Sequence, residues 1–194
     1  MASPSSVCVY CGSSSRVNDV YKDAARQLGV GLARAGIEVV YGGGRVGLMG
    51  ILADAALAAG GRVVGIIPEH LQVLEVDHVG LSELVVVDSM HARKRLMVER
   101  SDAFVVLPGG LGTLDETFEV VTWKQLRLHD KPIVIADIAG YWTPLLQLFA
   151  HIDGEQFVSG GYRRLFSVAA DIAQVLDSLG HQPAPATPTD SRAM

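Results

Sequence analysis

The sequence has only two cysteines, Cys8 and Cys11, and its six histidines show no spacing typical of metal ligands. The segment VCVYC is typical of a β-strand, in which side chains alternate between faces, so positions three apart point in opposite directions. We therefore expect the two thiols to share neither a disulfide nor a metal ion. These shortages disfavour a disulfide-stapled domain and a zinc module, and the lone C-x-x-C is weak support for redox chemistry.

Long apolar runs and an excess of positive charge are also missing. No apolar stretch reaches the ~20 residues of a membrane span, and no basic segment with a following apolar run marks a signal peptide. The chain has 16 Lys and Arg against 21 Asp and Glu, a net charge of -5. Because nucleic-acid binding relies on clustered cations that release counterions, we expect no nucleic-acid partner. The missing membrane span and signal peptide predict no membrane contact and a cytoplasmic location. A small anionic ligand is still compatible with this charge, since backbone amides can bind it.

Apolar runs and helical patterns alternate along the chain, which predicts an α/β fold, Rossmann-like and doubly wound, with a mostly parallel sheet and helices on both faces. The apolar runs are rich in Val and Ile without polar alternation, which is typical of strands buried on both faces. They cover residues 6–12, 37–44, 62–68, 83–89, 103–110 and 132–137. Helical patterns cover residues 18–35, 47–59, 91–100, 113–128, 141–152 and 169–179.

The chain length of 194 residues, 49% of them hydrophobic, predicts one α/β domain over residues 1–180. The Pro- and Thr-rich residues 181–194 are predicted to form a disordered tail. The connection over residues 69–80 is longer than usual, which favours a lid or a dimer contact. In open parallel sheets, ligands bind beyond the carboxyl ends of strands, at a switch point in strand order, and the glycine clusters fall at such ends.

The first glycine loop, YGGGRVGLMG, follows the second predicted strand. Gly42, Gly44 and Gly47 satisfy G-x-G-x-x-G, the pattern of a dinucleotide site. In that fingerprint the loop follows the first strand, so the position of this loop weakens the match. Three interpretations stay open: a nicotinamide-dependent oxidoreductase, an anion site formed by close backbone approach at a helix N-terminus, or a tight turn.

The second glycine loop, LPGGLGTLDETFE, follows the strand AFVVL. Pro108 ends the strand because it lacks a ladder donor. The three glycines after it permit positive φ and expose successive amides to a ligand. We expect Thr113 to cap a helix that begins at Leu114. The loop is not a Walker loop, because no Gly-Lys-Ser/Thr closes it.

Three carboxylates follow this loop: Asp115, Glu116 and Glu119. Thr113-x-x-Glu116 fits a capping box, in which the glutamate turns back onto the cap, and Asp115 favours the helix dipole from the first turn. Glu119, however, lies three residues after Glu116 on the same helical face, where like charges destabilise a helix unless something uses them. Such proximity can raise one pKa and separate the pair into acid and base roles.

A basic segment, SMHARKR, begins at the carboxyl end of the fourth predicted strand. Arg93 and Lys94 fall in the first or second turn of a helix, where positive charge opposes the dipole. Another partner is therefore expected, either the Glu116/Glu119 pair or an anionic substrate. The alternative is a solvated basic face, since exposed pairs contribute little. His91 is interpreted as a cap or a packing residue and not as a metal ligand.

Taken together, GGGRVGLMG, MHARK and PGGLGTLDETFE resemble the Lonely Guy (LOG) family, in this order and at these separations. The resemblance runs from about Val7 to Leu179 and includes TWKQLRLHDKP after the second loop. Members of the family are cytokinin riboside 5'-monophosphate phosphoribohydrolases, long labelled lysine decarboxylases. The resemblance implies a Rossmann-like homodimer that hydrolyses the N-glycosidic bond of a nucleoside 5'-monophosphate, AMP included, to free base and ribose 5-phosphate, with no metal or redox cofactor.

The resemblance also implies roles for individual residues. Arg93 and Glu116 match the catalytic pair by motif. Decarboxylation usually needs a pyridoxal phosphate Schiff-base lysine, and no residue here identifies itself as one. A non-catalytic nucleotide-binding carrier or sensor on the same fold stays open, because it would use both glycine loops without needing the carboxylate pair. The matched substrate-binding positions are Glu75, Met90, Lys94, Gly43, Gly44, Gly109, Gly110, Leu111, Gly112, Thr113 and Glu119.

Overall fold

The computed structural model describes residues 4–71, 80–158 and 161–180. Within them, seven strands form one sheet in the order β4-β3-β2-β1-β5-β6-β7. Every neighbouring pair is parallel, so the predicted parallel sheet is confirmed and holds for all seven strands. The strands are β1 (Ser6–Tyr10), β2 (Glu38–Tyr41), β3 (Val63–Pro68), β4 (Glu83–Val87), β5 (Ala103–Val106), β6 (Ile133–Ala136) and β7 (Ser167–Ala169).

Helices cover both faces of the sheet, as the sequence predicts. The helices α1, α2 and α6 pack on one face and the helices α3, α4 and α5 on the other, and each face has its own buried hydrophobic cluster. The helices are α1 (Asp19–Arg34), α2 (Gly47–Ala58), α3 (Met90–Glu99), α4 (Leu111–Gln125), α5 (Thr143–Gly154) and α6 (Ile172–Gly180).

The two cysteines lie on opposite sides of the central strand β1. Cys8 belongs to the cluster under α3, α4 and α5, and Cys11 to the cluster under α1, α2 and α6. Both are buried free thiols. The expectation that these side chains point in opposite directions is confirmed.

Two parts of the C-terminal half differ from the sequence prediction. Strand β7, only three residues long, was not predicted, because Ser167–Ala169 carries no run of Val and Ile. The predicted helix over residues 169–179 accordingly begins later, at Ile172. The helix predicted from residue 141 begins at Thr143, after a 3-10 turn at Ile138–Gly140.

The strand order places its switch point between β1 and β5, at the middle of the sheet. From there the chain order runs outward in both directions, so the loops after β1 and β5 diverge and leave a crevice at their carboxyl ends. Glu75 and the tail 181–194 lie outside the described residues. In the described part of the chain, no helix combines the length and apolar character needed to cross a membrane.

Candidate active site

A cavity of about 180 Å³ lies at the switch point, at the carboxyl ends of β1, β2 and β5. It is bounded by loops after three strands and by side chains of α2, α3 and α4. This is the edge of the sheet at which the fold class predicts a ligand. The residues that line it are Cys11, Gly12, Ser13, Gly42, Met49, Arg93, Met97, Gly110, Leu111, Gly112, Thr113 and Glu116.

Helix α4 points its N-terminus at this cavity. The helix begins at Leu111 with Gly110 as N-cap, and no side chain caps it. The first intrahelical bond joins the Leu114 amide to the Gly110 carbonyl at 3.0 Å. The amides of Leu111, Gly112 and Thr113 precede that bond and have no carbonyl partner inside the helix. Their unsatisfied donors and the helix dipole favour an anion at this position.

Thr113 is not the cap that the sequence predicts. It is the third residue of α4 and is buried, with 4% of its surface exposed. A Cβ on Gly109 would lie 2.1 Å from Thr113 Oγ1, so the side chain of Thr113 occupies the space that a residue other than glycine would need. Thr113 therefore holds the glycine loop by packing rather than by capping.

Helix α4 begins at Leu111 and not at Leu114, so the capping-box interpretation of Glu116 is also wrong. A capping box needs the threonine at the N-cap and the glutamate at the third helical position. Here Thr113 is third and Glu116 is sixth, and no acidic residue lies in the first turn. The dipole interpretation of Asp115 is wrong for the same reason. Glu116 lines the cavity instead.

The charge of Glu116 acts on the two cysteines of the central strand. Burial and then the negative charge of Glu116 raise the pKa of Cys11 well above its ordinary value, and the same two causes lead for Cys8. Both thiols therefore stay protonated at neutral pH. Cys11 lines the cavity as a neutral, poorly nucleophilic group.

Helix α3 supplies the cations, and they are buried, so the solvated-face interpretation is wrong. Ser89 caps the helix by accepting a hydrogen bond from the Ala92 amide at 3.2 Å, whereas His91 is exposed and does not cap it. Only 5% of the surface of Arg93 and 8% of that of Lys94 is exposed. A buried cation needs a compensating partner, and both have one.

Lys94 Nζ lies 3.1 Å from Asp115 Oδ2 and 3.1 Å from Glu119 Oε1. Burial alone would lower the pKa of Lys94, but its hydrogen bonds to the two carboxylates and their charges outweigh burial and raise it. Lys94 is therefore a cation at neutral pH, and it joins α3 to α4. It offsets the negative charge of Glu119, one helical turn after Glu116.

Arg93 reaches the first glycine loop. Its Nη2 donates to the carbonyl oxygen of Gly42 at 2.8 Å, and its Nη1 lies 3.8 Å from Met90 Sδ. A Cβ on Gly42 would lie 2.0 Å from Nη2, so the guanidinium fits only because residue 42 is glycine. Gly47 has φ +68°, and a Cβ there would lie 2.3 Å from the backbone of Ser13. Packing therefore accounts for these two glycines of G-x-G-x-x-G without a dinucleotide.

The structure brings together only part of the predicted site. Six predicted residues line the cavity: Arg93, Gly110, Leu111, Gly112, Thr113 and Glu116. Lys94 and Glu119 meet in the adjacent ion pair, and Met90 touches Arg93. Buried Gly43 and Gly44 belong to the loop that continues from Gly42, and Glu75 lies outside the described residues.

Sequence reasoning missed the segment CGS after β1, whose Cys11, Gly12 and Ser13 line the cavity. The signal was available: a glycine next to serines at the carboxyl end of the central strand. It also missed a second cavity of about 260 Å³, which shares Gly12, Ser13 and Gly110 with the first. Gly109 and Tyr141 line this second cavity.

The fold and this site define a class: a doubly wound α/β protein with a cavity at its switch point, at the uncapped N-terminus of a helix. The family model described as "Possible lysine decarboxylase" matches residues 49–179. The cytokinin riboside 5'-monophosphate phosphoribohydrolase of Rhodococcoides fascians is 48% identical over 170 residues, which cover 87% of this chain and 86% of that protein. The cytokinin riboside 5'-monophosphate phosphoribohydrolase LOG1 of Arabidopsis thaliana is 41% identical over 173 residues, which cover 89% of this chain and 81% of that protein. The chain belongs to the LOG family.

Solved structures agree on the fold. The molybdenum cofactor carrier protein of Chlamydomonas reinhardtii superposes with a TM-score of 0.70 at 22% identity and covers 90% of this chain and 95% of its own. The protein TM1055 superposes with a TM-score of 0.68 at 27% identity, covering 89% and 96%. At 22% identity, the likeness to the carrier shows a shared fold alone.

Proposed function

We propose that this protein hydrolyses the N-glycosidic bond of cytokinin riboside 5'-monophosphates, and of AMP, to give the free base and ribose 5-phosphate. The activity named for relatives at 41–48% identity supports this. The single observation that carries it is one cavity lined by the uncapped N-terminus of α4, the carboxylate of Glu116 and the guanidinium of Arg93. The motif PGGLGTLDE supplies the first two of these groups.

The phosphate binds at the start of α4. The amides from Gly110 to Thr113 donate to its oxygens, and Gly109 lets the loop fold back over Thr113. Lys94 adds positive charge behind Glu119. Gly43, Gly44, Met90 and Glu75 complete the substrate contacts that family membership implies. Nucleosides without a phosphate should be poor substrates, because they leave these amides unpaired.

Glu116 serves the ribose. As the bond from C1' to the base breaks, its electrons leave with the base and positive charge builds on C1'. A carboxylate beside the sugar stabilises that charge and accepts the proton of the attacking water, whose oxygen becomes the new hydroxyl on C1'. The departing base takes a proton from solvent water and Glu116 releases its proton to solvent, so that one water is added across the bond. Glu119, ion-paired with Lys94, holds a ribose hydroxyl.

Arg93 serves the base. A guanidinium stays charged at any working pH, so it polarises and orients rather than transferring a proton as an ordinary acid. The hydrogen bond from Arg93 Nη2 to the Gly42 carbonyl oxygen fixes the direction of the guanidinium. The guanidinium fills the space that a Cβ at residue 42 would need. Arg93 therefore stabilises the electrons that the base carries away.

Lysine decarboxylation is disfavoured by the state of Lys94. A Schiff base forms from a neutral amine, and enzymes lower the pKa of the lysine that forms it. Two carboxylates instead raise the pKa of Lys94 and hold its ammonium between them. Of the lysines in the described part of the chain, Lys94 is the one next to the cavity, and it is committed to this ion pair.

We further propose a homodimer formed through the outer face of α4. Leu111, Phe118 and Leu126 are 86%, 36% and 63% exposed. With the exposed Asp115 and Thr122 they form one stripe at helical spacing. A second copy would cover this stripe. Light scattering should give twice the chain mass, and Phe118→Glu should give the monomer. The free thiols fit a reducing, cytoplasmic setting.

Incubation with AMP and with isopentenyl-AMP tests the function. Free base and ribose 5-phosphate should appear in equal amounts, and adenosine should react far more slowly. Tight binding without turnover would instead favour a nucleotide carrier or sensor on this fold, and NAD binding an oxidoreductase. The ratio of kcat/KM for the two nucleotides measures how much the N6 substituent contributes.

A further inference from the structure

The turn between β6 and α5 holds Tyr141 against the second glycine loop. Tyr141 Oη donates to the carbonyl oxygen of Gly109 at 2.6 Å. The ring packs edge-on against Tyr21, with centroids 5.4 Å apart, and against Trp142, with centroids 4.8 Å apart. These contacts fix the ring in two directions and aim the hydroxyl at one peptide of the loop.

The turn that precedes Tyr141 has an unusual backbone conformation. Ala139 has φ +53° and Gly140 has φ +73°. A non-glycine residue in this region is strained and persists only where its surroundings enforce it. Asp137 provides that enforcement, because its Oδ1 accepts from the Trp142 amide at 2.5 Å and its Oδ2 from Thr143 Oγ1 at 3.1 Å. Strain of this kind points to a role beyond simple chain reversal.

Three consecutive carbonyls of the glycine loop are each held by a different partner. The Pro108 oxygen accepts from the Gly12 amide at 3.1 Å, and the Gly110 oxygen accepts from the Leu114 amide at 3.0 Å. Both of these partners are backbone groups. The carbonyl between them, that of Gly109, is held by a side chain, Tyr141.

Holding that carbonyl also orients the next amide. In a trans peptide the C=O of one residue and the N–H of the next point in opposite directions in one plane, and the described residues contain no cis peptide. The Gly109 oxygen points to Tyr141, in the second cavity, so the Gly110 N–H points the other way. A Cβ on Gly110 would meet no atom within 4 Å, so the space beside this residue is open.

We propose that Tyr141 is a positioning residue: its hydroxyl holds the Gly109–Gly110 peptide so that the Gly110 amide faces the anion-binding start of α4. This inference rests on the proposed function, in which that amide donates to the 5'-phosphate. Tyr141 acts through the peptide and touches neither the base nor C1'. Its loss should therefore weaken phosphate binding and leave the bond-breaking step intact.

Tyr141→Phe tests the inference, because it keeps both ring contacts and removes only the hydroxyl. The side chain is 38% exposed, so water can replace it on the Gly109 carbonyl and Tm should change by no more than about 3 °C. We expect KM for AMP to rise about tenfold while kcat stays within about twofold, which is the pattern of lost binding that is uniform along the reaction. Turnover of adenosine, which has no phosphate, should not change.

Tyr21→Phe is the matched control, since it removes the neighbouring hydroxyl and keeps the ring pair; its KM should equal that of the wild type. Unchanged KM in Tyr141→Phe, or a fall in kcat alone, would overturn the inference. If the wild type hydrolyses neither AMP nor isopentenyl-AMP, the proposed function fails. Calorimetry with ribose 5-phosphate then tests the positioning role without any catalysis. Weaker binding by Tyr141→Phe than by the wild type supports this role, and equal binding overturns it.

Discussion

The two glycine loops look alike in sequence but differ in what fills the space beside them. In the loop after β2, a Cβ on Gly42 would lie 2.0 Å from Arg93 Nη2, and one on Gly47 2.3 Å from backbone atoms. In the loop after β5, a Cβ on Gly110 or Gly112 would meet nothing within 4 Å. The first loop needs glycine for the packing of the protein itself. The second needs glycine for packing at Gly109, where a Cβ would lie 2.1 Å from Thr113 Oγ1, but it keeps open space beside Gly110 and Gly112 that a ligand can enter.

The backbone conformations of the loops differ in the same sense. Gly43 and Gly47 adopt φ of +78° and +68°. No glycine of the second loop has positive φ, contrary to the sequence expectation, and Gly110 is extended at φ -98°. Glycine thus serves conformation and packing in the first loop, whereas in the second it serves packing at Gly109 and access to the amides at Gly110 and Gly112. A cluster of glycines in a sequence does not say which of these applies.

The largest effect should come from Glu116, the carboxylate beside the open loop. Glu116→Gln keeps the shape and removes the charge that stabilises C1', so kcat for AMP should fall by about 10²–10⁴-fold. Because the amides of the second loop are untouched, AMP affinity should stay within about twofold of the wild type. Stopped assays of adenine release and calorimetry with AMP measure the two quantities. Adenine release at a near wild-type rate would refute the assignment.

Gly42→Ala tests whether the first loop is closed by Arg93. The added methyl displaces the far end of a flexible side chain, so the fold should survive while the guanidinium leaves its position over the Gly42 carbonyl. We expect a loss of kcat of about 10²-fold, close to that of Arg93→Ala. Gly154→Ala is the matched control, because it adds the same methyl in open space at the end of α5, without a positive φ and away from the cavity. Full activity in Gly42→Ala would mean that Arg93 does not need its present place.

The sequence predicts most of the scaffold, because burial on both faces leaves local runs of Val and Ile that mark six of the seven strands. It misplaces the start of α4, since Leu111 and Gly112 carry no cap signal and Thr113 does. Contacts between distant segments leave no local pattern. Lys94 meets Asp115 across 21 residues, and Tyr141 meets Gly109 across 32. The motifs in the sequence therefore predict which residues form the candidate site. They do not predict the long-range contacts that hold those residues in place.

Gly112→Ala tests whether the open space in the second glycine loop binds the phosphate. The residue is the second of α4 and has ordinary φ, so alanine should stabilise the helix by about 0.5–1 kcal/mol. The methyl enters the space next to the amides, so KM for AMP should rise about tenfold. Urea unfolding measures the expected gain in stability, and steady-state kinetics measure the expected rise in KM. If stability rises and KM is unchanged, the open space beside Gly112 is not where the phosphate binds.

Lys94 compensates the carboxylates after the open loop, so its replacement should act on stability. Lys94→Met leaves Asp115 and Glu119 without their cation, and the free energy of unfolding at pH 7 should fall by about 1–2 kcal/mol, between the values for exposed and buried pairs. The folded state raises the pKa of Lys94 above its ordinary value of 10.5, so folding favours the protonated form. The stabilisation is then complete below pH 10.5 and is lost as the pH rises through the folded pKa. Urea unfolding of both proteins from pH 7 to pH ~11.5 should therefore give a constant difference that shrinks only at the alkaline end, and a difference that shrinks already near pH 8 would contradict the ion pair.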